Sequence, residues 1–264
     1  MKKLILILLF SHIMYSQGYF DGKQLHCPST NSEARKNFSN GIELLHLNYS
    51  LKRKYLELNS ELFARAISQD TTFCDAYFFA GYTLNLLNKY RESYAFHKVA
   101  DKLSPIPIFI FKQNLAAVSL KVGLFDEARK QYLEIVKHFP ENPEGYYGIA
   151  LTSPMLEDYS VGLSNLDMAS DRFPKNSKEQ EQVTFIRGIL LALNKEYNSA
   201  KINFDKVEKK YKTDLNFQIY YSLALLQISK VNDDIKMKKE ALKYYKKIKD
   251  KSVIPPHVNE LLVF

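Results

Sequence analysis

Pro105, Pro140 and Pro174 stand 35 and 34 residues apart, and an apolar stretch with helical spacing begins after each. So regular a period restricts the fold more than any other feature of the chain. It means one helical unit copied and stacked, because a lone unit has no second layer against which to bury its apolar face. Aligning backward from the prolines brings out the copies. Tyr77, Gly81 and Ala100 precede Pro105, and Gly123, Phe125, Ala128 and Tyr132 precede Pro140 in the run GLFDEARKQYLEIVKHFP. Tyr146, Tyr159 and Ala169 precede Pro174. After a short insertion, Gly188, Tyr197, Ala200 and Phe204 repeat the offsets, with Lys212 in the place of the proline. EALKYYKKIKD places Ala241, Tyr245 and Ile248 at the same spacing, and ELFARAISQD supplies Phe63 and Ala66 for a degenerate first copy. The result is about six units between residues 34 and 250.

Each unit reads as two helices. Phe111, Leu115, Val118 and Val122 recur at three- and four-residue steps, which is a helical stripe and not strand alternation. Gly123 suits the left-handed residue that closes a helix. Asp126 and Glu127 suit the positive end of the next helix, whose inner face is Ala128, Tyr132, Ile135 and Phe139. Pro140 stops it. The chain is therefore expected to be all-α. Pro154 predicts a short or kinked first helix in the fourth copy. About five extra residues around Asn232 to Lys239 predict a longer turn in the last copy.

These offsets resemble the tetratricopeptide repeat, W-x2-L-G-x2-Y followed by A-x3-F and P. The match is strongest from Asp75 to Phe204, and the tryptophan position holds Tyr77, Lys112, Tyr146 and Thr184. The resemblance implies a right-handed α-solenoid of about six hairpins over residues 34–251, with a polar strap at 17–33 and a tail at 252–264. It also implies a non-catalytic scaffold that binds a peptide or helix of another protein in a concave groove lined by the first helices. Carried over by offset, the ligand-touching positions are Phe78 and Tyr82, Gln113 and Ala117, Tyr147 and Leu151, Phe185 and Ile189, and Tyr221 and Leu225. The lysines and asparagines with which chaperone-binding members clamp a terminal carboxylate do not stand there. Burying a large side chain is worth about 1.5–3 kcal/mol, so such a wall is not left bare. Either a partner covers it, or the winding and the strap fill it from within.

Met1-Lys2-Lys3 and the apolar run Leu4 to Phe10, ending near Tyr15-Ser16-Gln17, read as a signal peptide over residues 1–16. The run is shorter than the about 20 residues a membrane span needs. Cys27 lies well beyond it, which disfavours a lipoprotein. The expected setting is the periplasm or the exterior. There the only two cysteines, Cys27 and Cys74, have two readings. They form a disulfide tying strap to array, or Cys74 is a small buried hydrophobe and Cys27 is free. His26 beside Cys27 has no second spaced pair, so no metal site is expected.

The formal charge of +8 is unevenly spread: residues 195–251 hold 15 Lys against 8 Asp and Glu, while 17–194 balance. A face of this kind suits anionic membrane or glycan, or else is the solvated outer side of a capping repeat. The stretch contains no arginine, which with export argues against nucleic acid. No H-E-x-x-H, G-x-S-x-G, phosphate-loop or dinucleotide glycine motif occurs, so neither catalysis nor a cofactor is expected. An envelope enzyme docked through the repeats would have little chain left for a catalytic domain. His97 stands where the repeat wants a packing aromatic.

Overall fold

The computed structural model describes residues 17–46 and 53–264, so the leader expected over 1–16 lies outside the described residues. All regular structure among the described residues is helical. A one-turn helix α1 (Gln17–Phe20) leads through an irregular strap into α2 (Ser32–His46) and α3 (Arg53–Gln69). Then come α4 (Cys74–Leu86), α5 (Tyr90–Leu103), α6 (Phe109–Val122) and α7 (Phe125–His138). After Pro140 follow α8 (Pro143–Leu156), α9 (Tyr159–Arg172), α10 (Lys178–Leu193), α11 (Tyr197–Tyr211), α12 (Leu215–Asn232) and α13 (Ile235–Lys247). A 3-10 turn (Lys251–Val253) and α14 (Pro256–Asn259) end the chain.

The described residues form two compact units, one running to Phe139 and one from Pro140 to Phe264. The first contains the hairpins α2/α3, α4/α5 and α6/α7, and the second α8/α9, α10/α11 and α12/α13. Within hairpins the two helices differ in kind. First helices such as α4 and α12 are buried on most sides, and α12 hides residues from Asn216 through Leu226 without a break. Second helices such as α7 and α13 bury one stripe, Ala128, Tyr132 and Ile135 in α7, and Ala241 and Tyr244 in α13. A helix between two neighbours must be apolar nearly all round, whereas one with an outer face needs a single apolar stripe.

Each hairpin from α4 onward turns through one left-handed residue: Asn88, Gly123, Glu157, Lys195 and Asp233, with φ of 61°, 80°, 58°, 65° and 53°. The amide after it reaches back to a helix carbonyl in four of these turns: Lys89 to Leu84, Leu124 to Ser119, Glu196 to Leu191 and Asp234 to Ser229, at 2.9 to 3.0 Å. This closure satisfies carbonyls that the helix end would strand. The hairpins are also locked by glycine sockets. A Cβ on Gly41 would meet the Phe63 ring at 2.7 Å, one on Gly188 the Phe204 ring at 2.8 Å, and one on Gly81 the His97 ring at 3.0 Å. Only a residue without a side chain lets the ring of the second helix lie against the first backbone.

Two sequence expectations are corrected. The first concerns length alone: α8 contains Pro154 yet is not short, spanning 14 residues as α6 does. Pro154 sits in its last turn, where a missing amide costs one bond at most. The extra residues of the last copy do not lengthen a turn: α12 runs for 18 residues, and only Asp233 and Asp234 separate it from α13. The left-handed Asp233 closes α12, and the Asp234 side chain accepts from the Met237 amide at 3.0 Å to start α13.

Candidate interaction surface

The strap supplies the site that the first unit presents. The carboxylate of Asp75, buried in the first turn of α4, accepts from the Tyr19 hydroxyl at 3.0 Å, the His26 amide at 3.1 Å and the Cys27 amide at 2.9 Å. One charged group thus serves three donors, and burial is tolerable because hydrogen bonds to a charge are the strong ones. Burial and the adjacent Asp75 charge push the Tyr19 hydroxyl well above its ordinary pKa. Burial pulls His26 below its usual value, against the opposing pull of Asp75. Further along, Ser29 donates to Asp70, Asn31 donates to the Gln69 carbonyl at 3.2 Å, and the Arg35 guanidinium holds the Ser29 and Thr30 carbonyls.

Cys27 is joined to Cys74, the first residue of α4, with 5.7 Å between their Cα atoms. With Asp75 these sulfurs make a compact trio. The sulfurs are bonded to each other and the carboxylate is engaged by three donors, so the trio is a structural knot and offers no metal seat.

Tyr19 and Phe20 lie across the rings of α4 and α6. Tyr19 stacks on Phe79 at 5.2 Å, meets Phe78 edge-on at 5.2 Å and touches Phe111 at 6.0 Å. Phe20 meets Tyr82 at 5.1 Å and Phe79 at 5.8 Å. Phe78 also stacks on Phe111 at 4.9 Å. Of the two positions carried over by offset on α4, Phe78 is fully buried and Tyr82 half-buried, both against the strap. On α6, Gln113 is half-buried and Ala117 buried.

In the second unit the carried-over positions mostly face inward. Leu151, Phe185, Ile189, Tyr221 and Leu225 are buried, and Tyr147 is half-buried with its ring 6.0 Å from Phe173. Phe185 stacks at 4.3 Å on Tyr211 of its own hairpin. Tyr221 turns its hydroxyl to Asp205 of α11 at 2.6 Å. The tail adds cover to the last hairpin: Ile254, Val258 and Leu262 are buried, and Gln227 donates to the Leu261 carbonyl at 2.7 Å. Most of the carried-over positions are therefore buried, while Tyr82, Gln113 and Tyr147 stay half-buried. The rings are spent on packing between and within hairpins, as the area term demands.

Sequence reasoning missed Tyr19, Phe20 and Asp75. The available signal was the aromatic pair in GYFDG, hidden at the edge of the leader.

No family model and no curated protein sequence matches the chain. Solved structures do. MamA of Desulfovibrio magneticus RS-1, residues 41 to the end, superposes with a TM-score of 0.59 at 18% identity, over 70% of this chain and 99% of that one. PilF of Pseudomonas aeruginosa gives 0.56 at 15%, over 88% and 99%. YrrB, a TPR protein with an unusual peptide-binding site, gives 0.54 at 16%, over 76% and 99%. At such identities the likeness speaks for the fold.

Proposed function

The chain has the tetratricopeptide-repeat fold, and from that premise we propose that it is a non-catalytic scaffold which holds a peptide or helix of another protein along its first helices. The observation that carries this reading is the strap itself. A short segment, one helical turn followed by an irregular run, already lies across Phe78 and Tyr82, held by ring contacts from Tyr19 and Phe20 and by main-chain hydrogen bonds to Asp75. YrrB, which shares the fold, is a peptide binder. The leader-like residues 1–16 and the Cys27–Cys74 bond support an exported setting, periplasmic or secreted.

The test is crosslinking of the tagged protein in its own cells, with recovery from envelope and cytoplasm compared and the captured polypeptides identified. Tyr82→Ala with Gln113→Ala, both half-buried, is expected to lower capture several-fold while helix content stays unchanged. Equal capture by this variant rejects the assignment to the first helices.

A second reading has its own observation. Lys236, Lys238, Lys239, Lys243, Lys246, Lys247 and Lys249 are all exposed on or just after α13, with exposed Val231 and Ile235 beside them. Such a face suits an envelope assembly factor that touches anionic membrane or glycan.

A further inference from the structure

We infer that the seat formed by Phe78, Phe79, Tyr82 and Phe111 is a receptor for a short segment that presents an adjacent tyrosine–phenylalanine pair on a single helical turn, that the strap is its resident occupant, and that the Cys27–Cys74 bond latches it shut. This rests on the scaffold reading above and names the chemistry of the partner and its control. The strap belongs to no hairpin. It enters as one helical turn and an irregular run, and its Tyr19 and Phe20 rings fill space between rings of α4 and α6. Without them, apolar rings that are now buried or half-buried would face water. A segment bearing the same pair restores both the ring contacts and the hydroxyl bond to Asp75.

The latch sits at the edge of that seat. Cys27 is partly buried and Cys74 is buried, and their bond pins the strap to the start of α4. A dithiol reductant breaks the S–S bond by supplying two electrons and two protons. Two thiols result, and the reductant closes to its own disulfide. The strap stays tethered through α2 in either state, an intramolecular ligand at roughly millimolar effective concentration on that tie alone; the disulfide is a second tie that raises this value, so a released strap competes less.

The probe is a fluorescein-labelled peptide with the sequence Gln17–His26, added to the full chain and followed by anisotropy. The reduced protein is expected to bind it about tenfold or more tightly than the oxidised protein. A Tyr19→Ala, Phe20→Ala double variant of the protein, its disulfide intact, is expected to bind without reductant. A peptide with alanines at the aromatic pair is expected to bind neither. Equal affinity for oxidised and reduced wild type overturns the latch. Failure of the double variant to bind, or binding of the alanine peptide, overturns the receptor, and this arm stands even if reduction unfolds the chain. A negative result here beside undiminished capture of partners in cells leaves the scaffold reading in place.

Discussion

His97 fills over Gly81 the socket that Phe63 fills over Gly41 and Phe204 over Gly188. Unlike those rings it carries two nitrogens, and neither has a hydrogen-bond partner in its buried site. Burial alone drives its pKa down to about 3. The unfolded chain holds its proton up to about pH 6.5. Between those values the unfolded state binds more protons, so stability falls as the pH drops through that window. His97→Phe is expected to raise stability at neutral pH by about 1–3 kcal/mol, the penalty of an unsatisfied buried polar group. It should also flatten the acid limb, which urea melts near pH 7 and at about pH 4.5 would measure. An unchanged acid loss refutes this account of the socket. That His97 packs as an aromatic was legible, because the repeat offset puts a ring there. The burial of Phe185 and Tyr221 was not, since their partners Tyr211 and Asp205 are set by how neighbouring helices meet.

At the scale of elements, the hairpins were legible because proline, glycine and apolar spacing agree about where helices stop. The turns were legible only at Gly123. Glu157 and Lys195 hold the same left-handed conformation with no residue signal, imposed by the helices they join. Such a conformation costs a side-chain-bearing residue about 1–2 kcal/mol. Lys195→Gly is therefore expected to stabilise the protein by about 0.5–1 kcal/mol after the added freedom of the unfolded chain is discounted. Denaturant midpoints would show it, and a lowered midpoint would exclude strain at this turn. In the sequence the strap read as a polar segment that a disulfide would tie to the array. Its order comes from Asp75 and the Cys74 bond, both supplied from more than 40 residues away, the bonded cysteines being 47 positions apart. In the chain-entropy account, closing such a loop contributes about 4 kcal/mol.

For the whole molecule, the uneven charge was plain in composition, and the structure adds that the lysines of α13 stand free of the interior. Two ammonium groups at this end do lie against rings: Lys247 Nζ is 4.5 Å from the Tyr244 ring centre, and Lys251 Nζ, beyond α13, is 4.2 Å from that of Tyr245. The full chain is expected to sediment with phosphatidylglycerol vesicles at low salt and to come off at about 0.5 M salt, where exposed charges are screened. Lys236→Glu with Lys239→Glu and Lys243→Glu should abolish that association. Absence of sedimentation at low salt marks the face as a solvated cap.

The strap also bears on the order in which the polypeptide settles. Ribosomes deliver the N-terminus first, yet Tyr19 needs Asp75, Phe79 and Phe111 before it has anywhere to rest. The strap can therefore dock only after the chain as far as Phe111 has been made, and Cys27 waits as a lone thiol until α4 has emerged and coiled.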